Sequence, residues 1–146
     1  MVYSMSRLEE RVYDAWVVVR RAEDVAGEWV AHCLDFDVVA QGITMQEAAD
    51  AAKEAVGIVL VDDVDASLDP YARRAPQRFW TDLYETISTS RPLKDVAIND
   101  LDANEIETLI CRVSFTCVRV CDDGQDGQSS RPKVSVPLVF ERTAHA

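Results

Sequence analysis

The chain has 146 residues, 48% of them hydrophobic, and a net charge of −11 from 26 Asp and Glu against 15 Lys and Arg. That length favours one domain, and the apolar fraction excludes wholesale disorder. No apolar run of about 18 residues and no signal-like h-region occurs, so no membrane partner is expected and the protein reads as cytoplasmic. Residues 1–60 carry 11 acids against 5 bases, residues 61–107 again 11 against 5, and residues 108–146 only 4 against 5. An acidic body of this kind repels phosphate backbones and complements a basic protein surface.

Tyr13 to Arg21, YDAWVVVRR, predicts a first strand rich in β-branched and aromatic residues. A polar loop over Ala22 to Gly27 leads to a second strand near 28–34. There Trp29, Ala31 and Cys33 share one face, while Glu28, Val30 and His32 share the other. A third short strand near 37–42 ends at Gln41-Gly42, where a glycine free to adopt positive φ suits a strand-to-helix turn. Thr44 with Glu47 three residues on forms a capping box for a helix over 44–61. Its apolar side is Met45, Ala48, Ala49, Ala52, Ala55, Val56 and Val59, an Ala-rich face that lets the axis approach a sheet closely.

The pattern G-x-W-x-A-x-C, a short turn, V-x-x-x-G-x-T-x-x-E-A and an Ala-rich helix resembles the HicB-like antitoxin domain. The matching positions are Gly27, Trp29, Ala31, Cys33, Gly42, Thr44, Glu47 and Ala48, within residues 13–61. The resemblance implies a partial RNase H-like fold, a small antiparallel sheet with one helix packed across it. It also implies a partner: a small RNA-cleaving toxin, named HicA in that family, which the antitoxin occludes. The chain departs from the family at Leu34-Asp35-Phe36-Asp37, where a Pro- and Gly-containing turn is usual.

Beyond the helix, Asp62, Asp63, Asp65 and Asp69 read as a solvated acidic linker punctuated by Pro70 and Pro76. A second helix is expected over 76–88, with Pro76 in its first turn and Phe79, Leu83 and Ile87 recurring along one side, widened by Trp80 and Tyr84. Residues 93–106 have no single reading, with Asn99 to Ile106 fitting a loop or a short helix. Glu107 to Val120 is a half-buried antiparallel strand with Leu109, Cys111, Val113, Phe115 and Cys117 on one face. Lys133 to Glu141 returns as a further strand, at an edge or with a bulge because Pro137 cannot donate to a ladder. The fold expected is one α+β domain: a HicB-like core, an acidic insertion with a helix over 62–106, and a C-terminal hairpin.

No phosphate-loop, dinucleotide-binding or nucleophile-elbow motif occurs. Cys111, Cys117 and Cys121 lack C-x-x-C spacing or a nearby His, so they read as core thiols, and no metal or other cofactor is expected. His32 and Cys33 are adjacent in a strand and face opposite ways, which rules out a dyad between them. Carboxylates at Asp14, Glu28, Asp35 and Asp37 keep open a metal-dependent nuclease of RNase H-like type. The leading expectation is a non-enzymatic antitoxin-like module, with Glu28, His32, Asp35 and Asp37 as partner-facing residues and Trp80 joining them if its helix face, core by default, is partly exposed. A stand-alone adaptor is the second. A homodimer is expected through the last strand, and DNA binding is disfavoured because residues 62–106 are too acidic for a recognition helix.

Overall fold

The computed structural model describes residues 5–93, 97–123, 131–135 and 138–145. Their element order is β1 (Met5–Arg21), β2 (Trp29–Cys33), β3 (Val38–Gly42), α1 (Met45–Asp65), a 3₁₀ turn (Pro70–Arg73), α2 (Gln77–Ser88), β4 (Arg91–Leu93), a second 3₁₀ turn (Ile98–Asp100), β5 (Thr108–Asp123), β6 (Lys133–Val134) and β7 (Leu138–His145). All strands join one antiparallel sheet in the order β3-β2-β1-β5-β7-β4, with β6 paired to β5. The α+β expectation holds, with α1 packed across the sheet.

Strand parity decides which helix each residue meets. Ala15, Val17 and Val19 of β1 are fully buried on the α1 side, with Ala31 and Cys33 of β2 and Leu109, Val113 and Phe115 of β5. Ala48, Ala49 and Ala52 supply the facing surface of α1, and without larger side chains the helix comes down close to the sheet. The opposite parity, Val18 of β1 and Ile110 of β5, meets Trp80 and Leu83 of α2. Both faces of the β1 centre are therefore covered, which explains its continuous run Ala15-Trp16-Val17-Val18-Val19. The second helix does not simply follow the core in sequence. It covers the sheet face opposite α1.

Three expectations are corrected or narrowed. First, α1 runs four residues past the expected end at 61, to Asp65. The acidic stretch is its last turn, not a solvated linker. Asp63 is 2% exposed and takes a bidentate ion pair from Arg73, Nε to Oδ2 at 2.6 Å and Nη2 to Oδ1 at 2.8 Å. Arg119 of β5 donates to the Val64 carbonyl at 3.2 Å and to Asp65 at 3.3 Å. These arginines offset acids that a helix C-terminus disfavours. Asp69 caps the first 3₁₀ turn by accepting the Tyr71 N–H at 3.0 Å.

Second, Gly42 does not adopt positive φ; Gly27 does, at +83°. What Gly42 provides is room. A Cβ there would meet the Ala48 backbone nitrogen at 2.5 Å. Third, of the edge or bulge expected for the last strand, the pairing of β7 with β5 shows an irregular register at Arg112/Val113, while β4 covers the outer side of β7 only at Arg142–Ala144. Pro137 lies outside the described residues. Pro76 stands at the N-cap of α2, one residue before the first turn.

Candidate functional site

The turn that departs from the family pattern is held by side chains. Leu34 donates its N–H to the Trp16 carbonyl at 3.0 Å and accepts the Ala75 N–H at 2.8 Å. The Asp35 carboxylate accepts the Trp16 N–H at 2.7 Å, where β2 has already left β1. Phe36 is buried and stacks on Tyr71 with centroids 5.2 Å apart. Asp37 takes the left-handed conformation, φ +52°, that a glycine would otherwise supply. The Pro/Gly-free turn is thus specified by two aspartates and an aromatic anchor.

That conformation brings the Asp37 carboxylate to 2.7 Å from His32 Nε2. The imidazole lies edge-on to the Phe79 ring of α2, centroids 4.8 Å apart at 83°. Val18, Val30 and Leu34 floor an adjoining cleft of about 420 Å³, and the Arg20–Asp82 ion pair stands at its rim. The site is a joint between the β1–β2 sheet face and α2.

His32 and Asp37 of the five partner-facing candidates are therefore brought together. Glu28 stands at the far end of β2, where its carbonyl accepts the Ala22 N–H at 2.8 Å. Asp35 is spent on the Trp16 amide, and burial raises its pKa against that hydrogen bond and the nearby Arg112 and Arg74. Trp80 is 5% exposed, its indole N–H donating to the Ala75 carbonyl at 3.2 Å and its ring under the Arg74 guanidinium. It packs in the core of the α2 side, and Tyr84 carries the open surface of that helix instead.

The signature residues act as fold residues. Trp29, Ala31, Cys33 and Ala48 are buried, and Thr44 accepts the Glu47 N–H at 3.1 Å. The Glu47 carboxylate reaches back to the Ile43 N–H at 3.2 Å. Cys33 faces α1 while His32 faces α2, and burial, followed by the Asp35 charge, pushes the Cys33 thiol up to about 12. A thiol so held is protonated and unreactive. Cys111 and Cys117 are likewise buried with raised pKa values.

The four carboxylates of the nuclease alternative have separate duties. Asp14 accepts from the Ser114 hydroxyl, Asp35 caps Trp16 and Asp37 pairs with His32, with Glu28 apart. Among the described residues no group of three or more His, Cys, Asp or Glu is placed to hold a metal.

Outside the His32 joint lies the sheet edge. β3 is terminal in the sheet, and among the described residues no strand pairs with its outer side. Val39, across from His32, is 57% exposed, and Ile43 just beyond the strand is 69% exposed. The segment 22–52, which builds this edge and the first two turns of α1, holds seven acids and no Lys or Arg, with Lys53 just beyond it paired to Asp50 at 3.3 Å. Val39 has the opposite parity to Val38 and Ala40, so it turns away from the core against which they pack. Compared with known proteins, the chain matches no family model, no curated protein and no solved structure. The functional reading therefore rests on these residues.

Proposed function

We propose that the protein is an antitoxin-like binding module that sequesters a small basic ribonuclease by occluding it, and that the β3 edge is where the partner docks. The observation that supports this most directly is an open strand edge carrying two exposed aliphatic side chains inside a segment of seven acids and no Lys or Arg. An open edge offers backbone donors and acceptors to an added strand, and alternate side chains give it specificity. Val39 and Ile43 supply the apolar contact. Asp37, two residues before Val39, and Glu47, whose carboxylate accepts the Ile43 N–H, are both exposed and add negative charge beside them. His32, wedged between Asp37 and Phe79 and across from Val39, fixes the Asp37 carboxylate at the start of this edge. The module needs no catalytic residue, since occlusion is a matter of surface. Its acidity speeds the encounter and its apolar edge holds the complex.

The experiment is co-expression with a small basic protein encoded beside this chain, whose absence there would overturn the proposal in favour of a stand-alone adaptor, followed by binding kinetics and an RNA-cleavage assay. Raising the salt from 0.05 to 0.5 M should slow association about tenfold or more while changing dissociation little. Val39→Arg combined with Ile43→Arg should abolish both binding and inhibition of cleavage. Salt-independent association, or inhibition that survives the double substitution, overturns the proposal.

A further inference from the structure

The N-terminal half of β1 differs from the rest of the sheet. Leu8, Glu9, Glu10, Arg11 and Val12 are all exposed, although they lie in a regular strand paired with β5. β2 pairs with β1 only from Val17 to Arg21, so among the described residues no strand borders the other side of β1 before that point. Leu8 is 71% and Val12 56% exposed, and Val120, directly across from Leu8 on β5, belongs to the same surface. The segment has no Pro, Gly or Lys to block an incoming strand. Within a strongly acidic chain it is also locally neutral: Arg7 and Arg11 balance Glu9 and Glu10. A basic partner gains little here, whereas a surface of mixed charge suits a copy of itself.

We infer that two copies of the chain pair through the open edge of β1, antiparallel, with the two-fold axis at Glu10. The register follows from symmetry. Directly opposed residues of an antiparallel pair share a face, so the axis must pass through a residue and not between two. An axis at Glu9 opposes Arg7 to Arg11 and Leu8 to Glu10. An axis at Arg11 sets that arginine against itself and Glu10 against Val12. An axis at Leu8 sets Leu8 against itself and Arg7 against Glu9 twice but opposes Val12 to Ser4, one apolar pair where the next register gives two. An axis at Glu10 sets Leu8 against the partner's Val12 twice and Glu9 against the partner's Arg11 twice. Its one unfavourable contact is Glu10 with itself. The apolar pairs fall on the face that already exposes Leu8, Val12 and Val120, and the two sheets continue into one. This surface lies on a different strand from the β3 edge, and the inference stands whether or not a toxin binds there.

Sedimentation of the wild-type chain at rising concentration should show a monomer–dimer equilibrium. Leu8→Lys should weaken the dimer at least tenfold, and Glu10→Gln, which removes the repulsion on the axis, should strengthen it. The register is read by crosslinking under mild oxidation. Glu10→Cys should give a disulfide-linked dimer, since the two positions face each other. Leu8→Cys should not, because the two copies of residue 8 are offset by four residues, about 13 Å along the strand, beyond disulfide reach. A wild-type chain that stays monomeric at about 100 μM overturns the inference. So does a dimer that survives Leu8→Lys, or Leu8→Cys crosslinking as readily as Glu10→Cys. Both positions are exposed, so the variants keep the fold, which far-ultraviolet circular dichroism checks.

Discussion

Substituting each described glycine by alanine separates three physical roles. At Gly42 an added Cβ would stand 2.5 Å from the Ala48 nitrogen and 2.8 Å from the Glu47 carbonyl carbon, both backbone atoms of the first turn of α1. Ordinary contact begins at 3.4 Å, so the helix end must retreat by about 0.9 Å. The turn that must move carries Met45, Ala48 and Ala49, all buried against the sheet. A gap of about 0.5–1 Å forfeits a quarter to a half of the dispersion attraction of each facing atom. Together with the strain of overpacking this costs about 3 kcal/mol. At about 3 °C per kcal/mol for a chain of this size, the thermal midpoint falls by about 9 °C. Gly27→Ala meets nothing within 4 Å but must hold φ at +83°, which costs about 1 kcal/mol. Gly57→Ala, in the middle of α1 with nothing within 4 Å of its Cβ, should stabilise by about 0.5–1 kcal/mol. Differential scanning calorimetry of the three variants measures the ladder. If Gly42→Ala proves no costlier than Gly27→Ala, close helix approach is not what that glycine is for.

Three further outcomes are expected. The Arg73 hydrogen bonds hold the Asp63 carboxyl below the usual carboxylate range, with burial opposing. A folded pKa below the unfolded one gives stability that is complete above the unfolded value, about 3.9, and is lost as pH falls through the folded one. The thermal midpoint of Arg73→Ala should therefore lie below wild type at pH 7 and approach it below pH 4 or so, where the orphaned carboxyl is protonated; a pH-independent gap contradicts this. Burial shifts Asp35 the other way, so its charge opposes folding at neutral pH and the opposition fades as pH falls through its folded pKa. Asp35→Asn keeps an acceptor for the Trp16 N–H and should leave the pH 7 midpoint unchanged or higher. Asp35→Ala orphans that amide and should cost about 1–3 kcal/mol. Finally, Cys33, with its thiol near 12, should resist iodoacetamide at pH 8 in the native state together with Cys111 and Cys117, and all three should react in urea. Prompt native labelling of Cys33 would show that its strand opens.

Local pattern made much of the fold readable. The alternation of Trp29, Ala31 and Cys33, the cap at Thr44 and the small-residue face of α1 each depend on neighbours in sequence, and the structure places them as their spacing implies. What stayed hidden depends on distant partners. The acids Asp62 to Asp65 look solvated until Arg73 and Arg119 arrive from other elements to neutralise a helix end. The role of Gly42 is invisible because positive φ and close approach leave the same residue in the sequence. The face of Trp80 fits core or interface equally by periodicity, because nothing in its helix says that both faces of the sheet are covered. At the site, adjacent-residue geometry separated His32 from Cys33 correctly. The pairing of His32 with Asp37 required a left-handed aspartate that no periodicity foretells.

The most direct test of the central claim is amide hydrogen exchange on the chain with and without the small basic protein of the neighbouring frame. A partner added at the acidic edge should slow exchange at Val38–Gly42 and leave Met5–Val12 unchanged at constant protein concentration. Exchange in β3 that is indifferent to the basic protein, or protection confined to other elements, would contradict the account.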